Sequence, residues 1–129
     1  MSVFLVIFVK GNRGGRRYTI ERIYERMKAV EVGFKVSDNA LTVKICGEID
    51  AGSVAKLRRR IDVEYDCSGA KNMVFDLKDV GFMDSSGIGL IIGRYKRVAA
   101  LGGVIKIKNA NRTLKRIIEL SGLGRIVKL

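Results

Sequence analysis

The chain has 129 residues, of which 47% are hydrophobic and 29% charged, a size and composition typical of one soluble globular domain. It contains no histidine, which excludes Ser-His-Asp and Cys-His catalysis and every metal site that depends on an imidazole ligand. The formal net charge is +12, which is compatible with a nucleic acid, an anionic membrane or an acidic protein as partner. No helix-turn-helix pattern, zinc knuckle or basic patch interleaved with aromatic residues accompanies this charge, so we expect no direct contact with nucleic acid.

The first 31 residues are predicted to be an N-terminal extension outside the core domain, which we place at residues 32–129. They begin with the apolar run Val3–Val9, which is too short to span about 30 Å of hydrocarbon and lacks the features of a signal peptide. We therefore expect a cytoplasmic protein that does not contact a membrane. A basic, glycine-rich loop follows, and then a short helix is predicted over Tyr18–Met27. Met27 opens a more conventional stretch, so translation could begin at Met1 or at Met27.

The remaining residues alternate between strand and helix patterns. Alternation of apolar and polar residues predicts an opening β-hairpin, and a compact apolar run typical of a buried strand follows the first helix. Three helices are predicted from apolar residues at helical spacing, each preceded by a residue that can cap it. The predicted elements are strands at 32–36, 41–45, 73–77, 104–107 and 126–129, and helices after Ser53, over Ser86–Ala100 and after Asn111. A turn is predicted at Ser37-Asp38-Asn39, and Gly102-Gly103 is predicted to end the second helix. This order predicts an α/β fold with a mixed central β-sheet flanked by α-helices.

The basic residues of the first two predicted helices and the two cysteines can be explained by structure alone. Basic residues 56 and 58–60 are interpreted as the solvated face of the first helix, with a docking surface as the alternative. Residues 94, 96 and 97, all basic, are expected to lie largely outside the apolar face of the second helix. Cys46 and Cys67 have neither CxxC spacing nor a histidine to complete a zinc site. We expect reduced, structural thiols and no bound metal, with an opportunistic disulfide as the alternative.

The segment Phe82–Leu90 (FMDSSGIGL) lies between a predicted buried strand and an amphipathic helix. Asp84 or Ser85 can cap that helix, because their side-chain oxygens accept hydrogen bonds from the free amides of the first turn. Gly87 and Gly89 reduce helix propensity by about 1 kcal/mol each relative to Ala, and they allow another surface to approach closely. A capped helix at the end of a strand explains these residues. The alternative is a serine that can be phosphorylated, because the helix dipole and free amides tolerate an anion there.

Two enzyme interpretations of this segment do not fit its residues. The serines lack a GxSxG elbow and have no histidine as base. The glycines at 87, 89 and 93 resemble a phosphate-binding loop only loosely, because Arg94 and Tyr95 stand where a Walker loop needs Lys followed by Ser or Thr. We therefore predict no catalytic residue and no cofactor, and do not expect an enzyme.

Several stretches resemble the STAS-domain anti-anti-sigma factors, with the closest likeness to the sporulation member of that family. They are Phe82–Lys96 (FMDSSGIGLIIGRYK), Gly102-Gly103 and Lys115–Gly124 (KRIIELSGLG), while Gly47–Asp50 (GEID) is similar to the family's second-strand motif. The resemblance covers roughly residues 32–129. The chain departs from the family in its extra segment Val3–Val9, and in ending at Leu129, where relatives continue into one more amphipathic helix.

The resemblance implies a STAS-like anti-sigma factor antagonist that switches between two states. Unmodified, such a protein binds a dimeric anti-sigma factor that is also a serine kinase, and a sigma factor is released. The kinase then uses ATP to phosphorylate the serine that corresponds to Ser85, the complex dissociates, and a serine phosphatase resets the protein. The positions implied to bind the partner are Glu48, Asp50, Asp84, Ser86 and Gly87. The alternatives are a STAS module of another signalling complex and a nucleotide-binding STAS domain.

Overall fold

The computed structural model describes residues 7–8, 17–18 and 30–129 of the chain. The elements are β1 Ile7–Phe8, β2 Arg17–Tyr18, β3 Glu31–Ser37, β4 Ala40–Ile49, α1 Val54–Ser68, β5 Asn72–Met83, α2 Ser85–Ala100, β6 Ile105–Lys108, α3 Arg112–Leu120 and the 3-10 helix Leu123–Arg125. Strands β1 and β2 pair antiparallel, with Ile7 opposite Tyr18. The predicted helix over Tyr18–Met27 therefore does not include Tyr18, and the rest of the N-terminal predictions lies outside the described residues.

The predicted hairpin is confirmed as β3 and β4, and Asp38 and Asn39 form its turn. Their φ angles are 51° and 59°, and two successive residues at positive φ are typical of a type I′ turn, whose twist matches that of the flanking strands. Asp and Asn adopt this region more readily than other non-glycine residues. The Asn39 side chain also accepts a hydrogen bond from the Lys71 amide at 3.1 Å, which holds the start of β5 beside the turn.

The central sheet has four strands in the order β3-β4-β5-β6. Strand β3 is antiparallel to β4, whereas β4–β5 and β5–β6 are parallel, which confirms the predicted mixture of directions. Strand β5 continues to Met83, well past the predicted end at residue 77. Its pairing with β4 shifts register between Lys44 and Cys46 and again between Gly47 and Ile49. Such irregularities interrupt the apolar alternation from which strand length is predicted.

All three helices pack on one side of this sheet and share one hydrophobic core with it. Alternate strand residues point into the core, as a period of two requires. The largest fully buried side chains are Phe75, Leu41, Ile45, Ile49, Leu57, Ile61, Met73, Leu77, Met83, Ile91, Ile105 and Ile107. The intervening residues, among them Lys44, Lys106 and Lys108, are exposed on the opposite side. The described part of the chain is therefore a two-layer α/β domain.

Helix α1 buries Leu57, Ile61 and Tyr65. Its basic residues 56 and 58–60 are exposed, which agrees with a solvated face and equally with the alternative of a docking surface. Ser53 occupies the N-cap position as predicted, but its side chain makes no capping hydrogen bond. The Tyr65 hydroxyl donates to the carbonyl oxygen of Lys71 at 2.5 Å and so ties the last turns of α1 to the start of β5.

Helix α2 begins at Ser85 and buries a stripe that includes Gly87, Ile91, Arg94 and Val98. The prediction that Arg94 lies outside the apolar face is wrong, because this residue is only 6% exposed. Spacings of i, i+4, i+7 and i+11 return to the same side of a helix, so Arg94 belongs to the buried stripe by position. The other two basic residues of this helix, 96 and 97, are exposed as predicted.

Gly102 and Gly103 end α2, as the sequence predicts. Gly102 has φ 78°, the left-handed conformation common after a helix C-terminus. A Cβ atom at Gly103 would lie 2.1 Å from the carbonyl oxygen of Lys71. Only glycine therefore allows the chain to pass this close to β5 before it enters β6.

The C-terminal part agrees with the prediction for its helix and not for its strand. The Asn111 carboxamide oxygen accepts from the Leu114 amide at 2.8 Å and caps α3, which confirms the predicted cap. The expected strand over 126–129 is wrong: a 3-10 helix occupies Leu123–Arg125, and Lys128 makes a single parallel bridge to Lys106.

Both cysteines are free, as predicted, but they are exposed. Cys46 follows the buried Ile45 on β4 and points to the side of the sheet opposite the helices, and Cys67 lies in the last turn of α1. Both thiols are therefore accessible to solvent.

Candidate functional site

The predicted site residues come together where β4 and β5 end. These neighbouring strands are parallel, so their carboxyl ends meet at the same edge of the sheet. The Asp84 amide donates to the carbonyl oxygen of Ile49 at 3.1 Å. This bond joins the segment after β4 to the first turn of α2, and it places Glu48 and Asp50 near Ser85.

Asp84 is the N-cap of α2, one of the two caps that the sequence allowed. Its backbone is extended, with φ −98° and ψ −168°, and its Oδ1 atom accepts from the Ser86 amide at 2.8 Å. Its carbonyl oxygen accepts from the Gly87 and Ile88 amides. One residue thus satisfies three amides of the first turn, and the position of the serines is fixed by the backbone.

Ser85 is the first residue of α2 and is exposed. Its hydroxyl makes no hydrogen bond to any residue in the described part of the chain. Ser86 is half-buried, so the two adjacent serines differ in access to solvent. A second protein can therefore reach the oxygen of Ser85 more easily than that of Ser86.

Gly87 lies in the first turn of α2, on the buried face of the helix. A Cβ atom there would lie 2.9 Å from the Met83 Cβ and 3.2 Å from the Ile49 Cγ2. Gly87 thus lets α2 pack against the ends of β4 and β5, and it has almost no surface to offer a partner. Gly89, by contrast, is exposed, and no atom would lie within 4 Å of a Cβ placed there.

Asp50 and Ser53 shape the loop between β4 and α1. The Asp50 Oδ1 atom accepts from the Gly52 and Ser53 amides, both at 3.0 Å. In return, the Ser53 hydroxyl accepts from the Asp50 amide at 3.1 Å and donates to the Glu48 carbonyl oxygen at 3.2 Å. Asp50 is therefore half-buried and engaged within its own loop, whereas Glu48 is exposed.

Gly47 explains why Glu48 points outward at this edge. Its φ is 115°, a conformation that glycine adopts without strain, and the register of β4 on β5 shifts immediately after it. A bulge of this kind redirects the side chains that follow it. The edge that contains Ser85 thus includes three acidic residues, Glu48, Asp50 and Asp84, in a chain whose net charge is +12.

A group of charged residues that the sequence did not predict connects α2 to α1. The Arg94 Nε lies 2.9 Å from the Asp62 Oδ1, and Arg97 contacts both Asp62, at 3.5 Å, and Asp66, at 2.6 Å. The Arg94–Asp62 contact is not aligned as a hydrogen bond, and Arg94 Nη1 has no acceptor among the described residues. Burial lowers the pKa of Arg94, and the neighbouring Asp62 carboxylate counteracts this. These contacts fix α2, and with it Ser85, against α1.

Within the described ranges, no three His, Cys, Asp or Glu side chains lie close enough together to hold a metal ion. None of the helices in those ranges combines the length and apolar character needed to cross a membrane. What distinguishes this edge is the exposed hydroxyl, its capped helix and the surrounding carboxylates.

Comparison with known proteins identifies the family of this domain. The STAS domain family matches residues 31–129. The chain belongs to the STAS domain family. This STAS domain is 36% identical over 100 residues to the anti-sigma-B factor antagonist of Bacillus subtilis, a match that covers 78% of this chain and 90% of the relative.

Solved structures of the antagonist SpoIIAA resemble this STAS domain in fold. The unphosphorylated form of SpoIIAA superposes with a TM-score of 0.63 at 25% identity, covering 77% of this chain and 85% of SpoIIAA. The phosphorylated form of the Bacillus protein superposes with a TM-score of 0.57 at 25% identity, covering 77% and 88% of the two chains. The predicted STAS-like fold is confirmed by these matches.

Proposed function

We propose that this STAS domain is an anti-sigma factor antagonist whose binding is switched by phosphorylation of Ser85. Unmodified, it binds a dimeric anti-sigma factor that is also a serine kinase, and a sigma factor is released. The kinase uses ATP to phosphorylate Ser85, the complex dissociates, and a serine phosphatase restores the first state. The observation that carries the proposal is the exposed, unbonded Ser85 hydroxyl at the start of α2, in a chain similar to SpoIIAA, which has a phosphorylated form.

The contact surface of the proposal is the edge that contains Ser85. Glu48 is exposed, and Asp84 and Ser86 are partly exposed on either side of Ser85, so these residues are proposed to contact the partner directly. Asp50 and Gly87 are proposed to act through the shape of the edge, because one holds the loop and the other seats the helix. The chain itself has no catalytic role in this scheme.

The physical basis of release is the charge that a phosphate adds. A serine hydroxyl can be covered by a partner at little cost if it finds a hydrogen bond. A phosphate brings a charge of about −1.5 to −2 and would lie next to Asp84 in the chain, on an edge to which Glu48 and Asp50 also belong. The Ser86 amide is already occupied by Asp84, so it cannot neutralise the phosphate without loss of the cap. Desolvation of such a dianion costs several kcal/mol, which weakens the complex about 100-fold or more.

The experiment is incubation with the cognate anti-sigma kinase, ATP and magnesium, followed by mass-spectrometric mapping of the phosphate. We expect a single phosphate on Ser85. Ser85→Ala is expected to bind the anti-sigma factor with undiminished affinity in the presence of ATP, and Ser85→Asp is expected to bind poorly.

Ser86→Ala is the matched control, because it removes the adjacent hydroxyl and leaves the Asp84 cap on the residue 86 amide. It should still be phosphorylated and released. Phosphate mapped to Ser86, or equal affinity of the Ser85→Ala and Ser85→Asp variants, would overturn the proposed switch.

A further inference from the structure

The side of the sheet opposite the helices, here called the open face, carries lysines in two rows across the strands. In the first row Lys35 lies opposite Thr42, Thr42 opposite Val74, Val74 opposite Lys106, and Lys106 opposite Lys128. The second row is Gly33, Lys44, Asp76 and Lys108. Residues opposite one another in a sheet point to the same side, so five lysines lie on the open face.

Two carboxylates, Asp76 between Lys44 and Lys108 in the second row and Asp79 beside Lys44, offset part of the charge of these five lysines, and the open face stays positive. Lys106 and Lys128 are directly opposite, an arrangement of like charges that destabilises a sheet. Among the described residues, Lys44 makes the one ion pair of the five lysines, with Asp79 at 3.6 Å. All five are exposed. An anionic partner on the open face would relieve this repulsion.

The open face is also concave. A depression of about 400 Å³ lies between Lys35, Lys44 and Lys108, with Thr42 and Asp76 among the residues that line it. Gly33 has no side chain to fill it, and a Cβ there would meet nothing within 4 Å. The Asp76 carboxylate is fixed in this depression by the Asn109 carboxamide at 2.9 Å and the Lys78 amide at 3.2 Å.

The mixture of groups favours a protein over a nucleic acid as the partner. Asp76 and Asp79 can only accept hydrogen bonds, and a phosphate backbone also has only acceptors, whereas a protein supplies donors beside its carboxylates. The two rows hold no aromatic residue, and Phe34, which also lines the depression, packs against the hydrophobic core with Arg60 over its ring, so it is not free to stack on a base. The chain's own residues 1–29 include seven basic and two acidic side chains, so they do not complement the open face.

We propose that the open face is a docking surface for an acidic protein segment, separate from the edge that contains Ser85. Strand β5 continues from Asp76 to Met83, about 23 Å at 3.3 Å per residue. The depression lies about this far from Ser85 along the sheet, and we expect a partner on Ser85 and an acidic segment in the depression to be bound at once. This inference does not depend on the phosphorylation switch.

The test is titration of the full-length protein with a 15-residue peptide of Glu, Asp and Ser, followed by fluorescence anisotropy. The triple variant K35S/K106S/K108S removes three charges from the open face. We expect it to weaken binding about tenfold, because three exposed ion pairs at about a factor of two to three each multiply to that effect. The control K56S/R58S/R59S removes three charges from the exposed face of α1, and it should change the affinity less than threefold.

Thermal unfolding of both variants shows that each is folded before the titration is interpreted. Equal weakening by the two triple variants would mean that the peptide senses only net charge, and would overturn the docking surface. So would absence of peptide binding by the unsubstituted protein. Stronger binding of a DNA duplex or of phosphatidylserine vesicles through the same three lysines would also overturn it, because the partner would then not be an acidic protein.

Discussion

Gly87 and Gly89 of α2 provide a test of how the helix that begins at Ser85 is seated. Substitution by alanine gains about 1 kcal/mol of helix propensity at each position. The surroundings differ, because a Cβ at Gly87 meets Met83 and Ile49 at 2.9 and 3.2 Å, whereas at Gly89 it meets nothing within 4 Å. Substitution of glycine by alanine is therefore expected to lower the stability of the domain at position 87 and to raise it at position 89.

The loss of stability expected for Gly87→Ala follows from the fixed positions of the neighbouring side chains. Met83 is 0% and Ile49 1% exposed, so neither side chain can move outward to make room. Overpacking of this kind costs about 1–3 kcal/mol, which exceeds or offsets the propensity gain. We expect Gly87→Ala to lower the free energy of unfolding by up to about 2 kcal/mol and Gly89→Ala to raise it by about 1 kcal/mol. The two midpoints should then differ by up to roughly 10 °C.

The measurement is urea and thermal unfolding followed by far-ultraviolet circular dichroism, since the chain contains no tryptophan. Gly93→Ala is a second control, because a Cβ there also meets nothing within 4 Å, and it should behave like Gly89→Ala. If Gly87→Ala stabilised the protein as much as Gly89→Ala, α2 would not be packed against Met83 and Ile49 as described, and the position of Ser85 would have to be reconsidered.

Two further predictions concern charged groups. Asp62→Ala is expected to lower the free energy of unfolding by about 3 kcal/mol, because it leaves the buried Arg94 guanidinium unpaired. Arg94→Met should lower it clearly less, because Asp62 keeps its ion pair with Arg97. Equal losses of stability for the two variants in urea unfolding would contradict this reasoning. The second prediction concerns the pKa of Asp76. Burial alone would raise this pKa, but hydrogen bonds and nearby positive charges lower it below its ordinary value of 3.8. The hydrogen bonds come from Asn109 and the Lys78 amide, and the charges are those of Lys108 and Lys44. A carboxylate of lowered pKa contributes stability that is fully present above its unfolded value and is lost as the pH falls through its folded value. Asp76→Asn should therefore flatten the loss of stability between about pH 5 and pH 2 in acid unfolding curves, and an unchanged slope would argue against the assignment.

Local chemistry made much of this fold predictable. The hairpin turn at Asp38-Asn39, the Asn111 cap and the glycine stop after α2 each depend on a few adjacent residues, and each is confirmed. The full length of β5 was not predictable in the same way, because bulges against β4 interrupt its alternation. The terminal strand was wrong because four apolar or basic residues fit an edge bridge and a 3-10 turn as well as a strand.

In the candidate site, too, the features set by adjacent residues were predictable and those set by tertiary packing were not. The capped serine segment was identified from sequence, since Asp84-Ser85-Ser86-Gly87 combines a cap with small residues at a predicted helix start. The burial of Arg94 depends on the tertiary packing of α1 and α2, although its spacing from Gly87, Ile91 and Val98 was available as a signal. The role of Asp50 within its own loop was not predictable from sequence, because it depends on the folded loop. Asp50 and Ser53 exchange hydrogen bonds there, and the Ser53 hydroxyl also donates to the Glu48 carbonyl oxygen.

The bond from the Asp84 amide to the Ile49 carbonyl oxygen has a mechanical consequence. Because it joins two segments that are each held by their own side-chain hydrogen bonds, we expect a charged group added at residue 85 to change the electrostatic potential of this edge without rearranging its backbone.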